Sequence, residues 1–388
     1  MFNSLKDRTP LGWLQLKHDK FRLLTALSGI AFADILIFMQ LGFMNALYTT
    51  NTQYPRKIQG DIVLISIQAT NFNQLYTFPR RRLYQAMDIP GVTSAEAVYV
   101  GSLNWRNPQN RQQTSMMVIG FEPEKPAFDL PEVNSQLDKV KIPNTVLFDQ
   151  ASRGEYDQVI SQIEQGQTVT TESGRTTITI AGLFQVGASF QDDGALITSQ
   201  ENFMRLFPRK TPAMVSLGII NLEAEGDREA IRFALNTYLP QDVRAYTYQE
   251  YVDQELNYIK SRTPIGFVFS LGTMMGFIVG IVIVYQVLST DVNDHLAEYA
   301  TFKAMGYKNS YLLGVVFEEA LILSILGFIP GVAIAAGLYQ LTAAATALPI
   351  VLPVSRAVTV LIMTIVMCGI SGAIATFKLQ SADPADIF

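Results

Sequence analysis

Apolar and polar residues are unevenly distributed along the chain, and three long runs carry no charged side chain. These runs are Pro264–Thr290, Ala320–Ser355 and Ala357–Phe377. A bilayer core about 30 Å thick is crossed by roughly 20 apolar residues in a helix. Each run therefore predicts a spanning helix, and the second run also has room for a short apolar loop near Pro349 and Pro353.

A fourth apolar segment, Leu23–Leu47, is interrupted by Asp34, Gln40 and Asn45. Neither half is long enough to cross alone, so a spanning helix here would place Asp34 near the middle of the bilayer. The segment is too long for the apolar core of a signal peptide, about 7–15 residues, and no Ala-x-Ala-like cleavage site follows it. We therefore interpret it as an uncleaved first spanning helix.

Four spanning helices place both termini on the same side of the membrane. Basic residues outnumber acidic ones before the first helix, which predicts a cytoplasmic N-terminus by the positive-inside rule; they are Lys6, Arg8, Lys17, Lys20 and Arg22, against Asp7 and Asp19. The long polar block between the first two helices is then expected outside the cytoplasm.

These patterns predict an α-helical membrane protein with four transmembrane helices and a large mixed α/β extracytoplasmic domain between helices 1 and 2. The predicted division is a cytoplasmic amphipathic segment (1–22), helix 1 (23–47), the extracytoplasmic domain with a helical stalk (48–263), helix 2 (264–289), a cytoplasmic helix (290–310), helix 3 (311–341), an outer loop (342–355), helix 4 (356–377) and a cytoplasmic tail (378–388).

The polar block alternates segments typical of strands and of helices. Strands are predicted at Asp61–Ile67, Ala95–Trp105, Thr114–Phe121, Thr145–Asp149 and Thr176–Phe184. Helices are predicted at 80–87, 151–163 and 227–239, the last with Asp227 as its N-cap. The apolar spacing in 246–262 predicts a further helix that continues into the second span as one rod, with 46–58 running beside it.

Composition argues against most catalytic and nucleic-acid-binding functions. Charged residues make up 16% of the 388 residues, below the usual value of about 25%, and the formal net charge is −5. The single cysteine, Cys368, forms no disulfide within the chain, and two histidines are too few for a Cys/His metal cluster. The phosphate-binding, nucleophile-elbow and zinc-protease motifs are absent. We therefore predict no catalytic residue, no metal site and no cofactor in this chain.

Polar residues inside the predicted spans are candidates for function. A carboxylate at mid-bilayer costs about 2.5–3.5 kcal/mol on insertion scales, so Asp34 should face protein or water. It has either a substrate or coupling role, or a structural hydrogen bond to Gln40 or to a Ser or Thr of another helix. Glu318 and Glu319 are expected at the cytoplasmic interface, because Ala320–Tyr339 alone suffices to cross.

Glycines spaced four apart predict close helix packing, since small residues let helix backbones approach in lipid. They are Gly272, Gly276 and Gly280 in the second span and Gly327 and Gly331 in the third. The partner helix can belong to the same chain or to a second copy.

The connection Asp294–Leu312 (DHLAEYATFKAMGYKNSYL) has the features of a short cytoplasmic helix. Carboxylates suit its N-terminus, a lysine suits its last turn and a glycine suits the position after it. Basic residues are too few for a helix that lies on lipid, so the pattern favours docking on a cytoplasmic partner. The N-terminal carboxylate is Asp291 or Asp294, the lysine is Lys303 and the glycine is Gly306. The apolar face consists of Leu296, Tyr299 and Ala300.

The element E-x-A-x-x-K-A-M-G-Y in this connection resembles the coupling helix of the FtsX/MacB (type VII) superfamily of ABC-transporter permeases. Trp13–Ala33 is similar to that superfamily's entry segment and first span, and Ser381–Phe388 to its closing signature. Gly29–Leu47, including Asp34, resembles the DevC permeases of cyanobacterial DevABC-type exporters. Tyr299 and Thr301 depart from the apolar residues common in relatives.

The resemblance implies that the connection docks on a separate ABC ATPase (DevA-like), which would bind ATP and magnesium. The implied docking residues are Asp294, Leu296, Glu298, Tyr299, Ala300, Phe302, Lys303, Ala304, Met305, Gly306 and Tyr307. It further implies a permease homodimer, a periplasmic adaptor (DevB-like), a TolC-like outer-membrane duct and export of an envelope glycolipid or similar substrate by mechanotransmission.

Two alternatives remain at this point. A lipoprotein-releasing permease of the same superfamily would work without an outer-membrane duct. An FtsX-like transmembrane activator would bind a cell-wall hydrolase through its outer domain and transport nothing.

Overall fold

The computed structural model describes residues 20–174, 176–224, 226–295, 298, 301, 305–306 and 309–380. Four of its helices are long and apolar enough to cross a membrane; they are α1 (Lys20–Thr52), α8 (Pro264–Asp294), α9 (Asn309–Thr346) and α10 (Val354–Gln380). The chain divides into two compact units. The first, here called the helical unit, comprises the described parts of 1–45, 265–342 and 350–388, and the second, the insert domain, comprises 46–264 and 343–349.

Helix α1 continues beyond the apolar segment that predicted it. It ends at Thr52 instead of Leu47. Side chains near this end bond back to the helix: Asn51 Nδ2 donates to the Leu47 carbonyl at 2.8 Å and Thr52 Oγ1 to the Tyr48 carbonyl at 2.8 Å. These bonds satisfy carbonyls that the end of a helix otherwise leaves without partners.

The predicted continuous rod leading into the second span is wrong. Helix α7 (Tyr248–Arg262) ends before the span, and α8 begins at Pro264. Thr263 between them is extended, with φ −101° and ψ 136°. The cause is local, because a proline ring disfavours the helical region for the residue that precedes it.

The core of the helical unit is built around alanines and a few larger side chains. Ala26, Ala33 and Ala320 are buried there with Leu288 and Met367, so that all four spanning helices contribute to one cluster.

In its described residues, the insert domain contains eleven strands and six α-helices. The strands are β1 (Ile62–Ser66), β2 (Phe78–Pro79), β3 (Val92–Arg106), β4 (Gln113–Phe121), β5 (Thr145–Asp149), β6 (Val169–Ser173), β7 (Thr176–Phe184), β8 (Gly194–Ser199), β9 (Met214–Val215), β10 (Leu217–Leu222) and β11 (Val243–Thr247). The helices are α2 (Arg81–Ala86), α3 (Pro131–Asn134), α4 (Asp157–Glu164), α5 (Gln200–Leu206), α6 (Arg228–Tyr238) and α7.

Nine of these strands form one mixed sheet in the order β11-β1-β10-β3-β4-β8-β5-β7-β6. The long strand β3 joins its two halves: Val92–Val98 pairs with β10, and Tyr99–Arg106 pairs with β4. Most pairs are antiparallel, whereas β4 with β8 and β5 with β7 are parallel. The two short strands β2 and β9 pair separately.

The central strands are buried on both faces, so the sheet separates two apolar cores. In β1, Ile62 and Leu64 belong to one core while Val63 and Ile65 belong to the other. This follows from the alternation of side chains along a strand. Uniformly apolar segments such as IVLIS are therefore expected for a covered sheet.

Three of the helices described in the insert domain, α5, α6 and α7, start with a side-chain cap. Asp227 accepts hydrogen bonds from the backbone N–H groups of Glu229 and Ala230, as its position predicts. Helix α7 begins with a capping box, in which Thr247 and Glu250 each bond the other's backbone N–H. The segment 151–163 is helical only from Asp157 onward.

Candidate coupling site and polar contacts of the spanning helices

The structure describes five residues of the connection between α8 and α9, and three of them, Glu298, Met305 and Gly306, are predicted docking residues. Glu298 and Thr301 are helical, and the Met305 N–H donates to the Thr301 carbonyl at 3.0 Å. Gly306 has a φ of 91°, the left-handed conformation usual for the residue after a helix. Glu298 and Met305 are exposed, as a docking surface requires. The other predicted docking residues of this connection lie outside the described residues; they are Leu296, Tyr299, Ala300, Phe302, Lys303, Ala304 and Tyr307.

Asp291 and Asp294 lie in the last turns of α8 and both contact Arg22 of α1. Arg22 Nη1 donates to Asp291 Oδ1 at 2.8 Å, and Nη2 bonds Asp294 Oδ2. Acidic groups at a helix C-terminus oppose the helix dipole, and the arginine offsets this cost. The two carboxylates therefore contact another helix, and most of the backbone N–H groups that they were predicted to cap lie outside the described residues.

Glu319 of α9 faces Asp291 and Arg22. Its side chain is fully buried and interacts electrostatically with Asp291 and Arg22. Among the described residues, neither Glu319 oxygen nor Asp291 Oδ2 has a hydrogen-bond donor. Arg22, Asp291, Asp294 and Glu319, here called the Arg22 cluster, thus join three helices directly before the predicted coupling element. Glu318 beside it is half-buried.

Asp34 lies in the interior of the helical unit and is fully buried. Thr364 of α10 donates a hydrogen bond from Oγ1 to Asp34 Oδ1 at 2.7 Å. Asp34 Oδ2 has no partner among the described residues. The contact to Thr364 is the helix-to-helix bond that was one of the two roles considered for this residue.

The glycine rows of α8 and α9 face α1 of the same chain. A Cβ built on Gly276 would lie 3.1 Å from Ile37 Cγ1, and one built on Gly331 would lie 3.3 Å from Ala31 Cα. Gly327 approaches Ile30. The remaining predicted packing glycines also have close neighbours: Gly272 meets Gln40, and Gly280 meets Met367 and Ala33.

Arg153 of the insert domain bonds the end of helix α9. Its Nε donates to the carbonyl of Thr346, the last residue of that helix, at 2.7 Å. Nη1 pairs with Asp193 Oδ1 at 2.9 Å, and Nη2 donates to the Ser189 carbonyl at 3.0 Å. Sequence reasoning did not identify this residue, because its partners are far away along the chain.

A buried carboxyl group joins helix α7 to the loop after β1. Glu255 is 1% exposed, and its Oε2 accepts a hydrogen bond from the Phe72 N–H at 3.1 Å. Burial raises the pKa of Glu255 to about 7, since the charged form loses its hydration. The helical pattern of 246–262 indicated an apolar face but gave no signal that a glutamate lies within it.

Comparison with known families assigns the C-terminal part of the chain. Residues 270–384 match the family described as "FtsX-like permease C-terminal". This region contains α9, α10, most of α8 and the whole connection with the predicted docking residues. No curated protein matches the chain. Among the described residues, no group of three His, Cys, Asp or Glu side chains could hold a metal ion.

Two solved structures are similar to about half of this chain. The periplasmic region of MacB from Actinobacillus actinomycetemcomitans is 10% identical, covering 53% of this chain and 95% of its own, with a TM-score of 0.34. The extracellular domain of the ABC-type transporter YknZ from Gram-positive bacteria is 11% identical, covering 48% of this chain and 98% of its own, with a TM-score of 0.31.

Proposed function

We propose that this chain is the permease subunit of an ABC transporter of the FtsX/MacB type. A separate ATPase docks on the connection between α8 and α9 and binds ATP and magnesium. The observation that carries this proposal is the match of residues 270–384 to the FtsX-like permease family, together with the exposed Glu298 and Met305 inside the matched region.

The Arg22 cluster supports a mechanical role for this connection. Arg22 ties the start of α1 to Asp291 and Asp294 just before the docking element. A displacement of the element therefore acts on α1 as well as on α8. Buried charged contacts have strict geometry, because leaving one of their members unpaired is costly. Such contacts suit the transmission of a movement from one helix to another.

The movement has three routes to the insert domain. Helix α1 is 33 residues long, or about 50 Å at 1.5 Å per residue, and ends within that domain at Thr52. Helix α8 is linked to it through Thr263 and α7. The third route is helix α9 itself, whose last residues from Ala343 belong to the insert domain and whose final residue, Thr346, accepts the hydrogen bond from Arg153.

The finer parts of the proposal rest on the basic residues before the first spanning helix and on the resemblance of the sequence to DevC permeases. The insert domain would lie in the periplasm and both termini in the cytoplasm. A permease homodimer would work with a DevB-like adaptor and a TolC-like duct, and the substrate would be an envelope glycolipid or a similar molecule.

The first test is to purify the tagged full-length protein from its native membrane in mild detergent and to identify the proteins that accompany it. We expect an ABC ATPase and a periplasmic adaptor. A cell-wall hydrolase without an adaptor would instead favour the FtsX-like activator. An ATPase without an outer-membrane duct would favour the lipoprotein-releasing permease.

The docking surface is tested by exchanging its charges. The double variant Glu298→Lys with Lys303→Glu should lower substrate transport strongly while ATP hydrolysis by the partner continues and membrane insertion is unchanged. Full transport by this variant would contradict the assignment of the docking element. Glu318→Gln, a half-buried neighbour outside the element, serves as the matched control.

A further inference from the structure

The insert domain contains a cavity of about 730 Å³ between helix α7, the edge strand β11 and the loop after β1. All of its lining residues belong to this domain. A cavity of this size accommodates a small ligand or the headgroup of a larger one. None of the predicted docking residues and no member of the Arg22 cluster lines it, so the coupling role proposed above does not explain it.

Helix α7 has two faces, and the polar one lines the cavity. Tyr251, Val252, Glu255 and Ile259 are buried in the opposite direction. The cavity side repeats at helical spacing and carries groups that donate and accept hydrogen bonds; it consists of Glu250, Asp253, Gln254, Asn257, Tyr258 and Arg262, with Ser261 between the last two.

Two guanidinium groups in the cavity have no acidic partner. Arg244 of β11 and Arg262 of α7 line it, and neither is within 4 Å of a carboxylate of the described residues. By contrast, Arg82 and Arg232 of the same domain are each paired. An arginine without a carboxylate keeps its planar set of donors available for an anion, and phosphate fits that geometry.

The two acidic residues in the cavity differ in how they are used. Glu250 accepts the Thr247 N–H in the capping box and lies 3.2 Å from Arg232 Nε, so its charge is largely compensated. Asp253 is exposed and bonds only Gln249 among the described residues, at 3.3 Å. Gln254 Oε1 is buried without a donor. The cavity therefore also presents two acceptors to a ligand that carries hydroxyl or ammonium donors.

The cavity is close to the membrane by chain connectivity. Arg262 is separated from Pro264, the first residue of the second spanning helix, by Thr263 alone. Two residues extend at most about 7 Å. If α8 enters the bilayer at its first residues, Arg262 is within reach of the lipid headgroups.

We propose that this cavity binds the phosphate-bearing headgroup of a membrane lipid whose acyl chains stay in the bilayer. Arg244 and Arg262 hold the phosphate, and Asp253 with Gln254 accepts hydrogen bonds from hydroxyl or ammonium groups of the headgroup. A phosphoglycerol headgroup meets both requirements, whereas phosphocholine has the phosphate but no N–H or O–H donor. The proposal requires only that α8 crosses the membrane, and it is independent of ATPase docking.

The test titrates the purified full-length protein in detergent with phosphatidylglycerol or phosphatidylcholine and counts bound lipids by native mass spectrometry. We expect saturable binding of phosphatidylglycerol and about tenfold weaker binding of phosphatidylcholine. Arg244→Ala and Arg262→Ala should each weaken phosphatidylglycerol binding about tenfold, or about 1.4 kcal/mol. Arg205→Ala, which removes an exposed arginine of α5 outside the cavity, should leave it unchanged.

The opposite outcomes would overturn the proposal. Equal binding of the two lipids, or equal binding by wild type and both cavity variants, would show that the cavity does not select a headgroup. Glycerol phosphate is added as a competitor: displacement of the lipid at equal concentration would show that the ligand is a free anion. Asn257→Cys places a cross-linking site in the cavity. A peptide that is cross-linked there to the same extent with and without lipid would show that a protein segment occupies the cavity. A folding defect in the arginine variants is recognised from their thermal unfolding in detergent.

Discussion

The helical unit and the insert domain are held together in different ways. The insert domain buries large side chains such as Trp105 and Tyr251 on both faces of its sheet. The helical unit is packed through alanines and glycines, and polar side chains such as Asp34 and Thr364 bond across its helices. In lipid, apolar side chains gain little by leaving their surroundings, so close backbone approach and polar contacts determine which helices associate. The same added volume should therefore do more harm between spanning helices than on a surface.

The largest effect is expected from filling a helix contact in which one of the neighbouring atoms is backbone. A Cβ at Gly331 would lie 3.0 Å from Asp34 Cβ and 3.3 Å from Ala31 Cα, and the latter is backbone that cannot move alone. Gly331→Leu should destabilise the helical unit by about 3 kcal/mol or more. The measurement is the fraction of full-length protein that remains folded in the membrane and in detergent.

Gly337→Leu on the same helix is the matched control, because a Cβ there meets nothing within 4 Å. It should behave like the wild type. Equal loss in both variants would mean that a leucine is harmful anywhere in this helix, and the contrast in packing would have no energetic meaning.

The next largest effect concerns the Arg22 cluster. Arg22→Gln leaves Asp291 and Glu319 close together without their cation, and both carboxyl groups are buried. Removing one partner of a buried charged group typically costs about 3–5 kcal/mol. Arg22 is partly exposed, so we expect a smaller loss of about 2 kcal/mol in the thermal unfolding of the full-length protein.

A second substitution separates charge from packing in this cluster. Glu319→Gln added to Arg22→Gln should restore most of the lost stability, because it removes one of the two facing carboxyl groups. No restoration would show that Arg22 acts through contacts other than its charge.

The two units also differ in how far the sequence predicts them. Apolar runs locate the spanning helices, since length and the absence of charge are sufficient. The Arg22 cluster was not predicted, because Arg22 and Asp291 are 269 positions apart and only helix packing brings them together. Arg22 was counted among the basic residues before the first helix, together with Lys17 and Lys20. Nothing in the local sequence distinguishes it as the residue that forms ion pairs with α8.

In the insert domain, alternation and β-branched residues located the strands well: Thr145–Asp149 and Thr176–Phe184 match β5 and β7 at both ends. The order of strands was not predictable in the same way. The parallel pairing of β4 with β8 depends on a long connection, and no local pattern encodes it. The break at Thr263 was foreseeable from the proline after it, but the apolar face on both sides favoured a continuous helix.

A smaller effect is expected where the insert domain contacts the end of α9. Arg153→Ala removes the hydrogen bond to the Thr346 carbonyl, worth about 1–2 kcal/mol locally. Under the proposed function, transport per ATP hydrolysed should fall while hydrolysis continues. Hydrogen exchange of residues 340–349 should become faster in the purified protein.

Asp193→Asn is the control for this contact. It removes the ion pair with Arg153 and leaves the bond from Nε to Thr346 in place. Wild-type transport is expected for this variant. If Asp193→Asn and Arg153→Ala were equally defective, the ion pair within the insert domain would be responsible instead of the contact to α9.

The smallest effect depends on pH and tests the one buried carboxyl group that joins α7 to the loop after β1. The pKa of Glu255 is raised from 4.5 to about 7 in the folded protein. The folded state therefore binds the proton more tightly than the unfolded state, and the free energy of unfolding falls as pH rises from about 5 to 7.

Glu255→Gln resembles the protonated form and can still accept the Phe72 N–H. This variant should lose that pH dependence and be more stable than wild type at pH 8. Hydrogen exchange of 67–77 and 248–262 in the full-length protein at pH 5 and pH 8 measures the stability of these two segments.

Unchanged pH dependence in Glu255→Gln would assign the titration to another group. The neighbouring Glu250→Gln, whose carboxylate is partly exposed beside Arg232, is the control that should retain the wild-type dependence between pH 5 and pH 8.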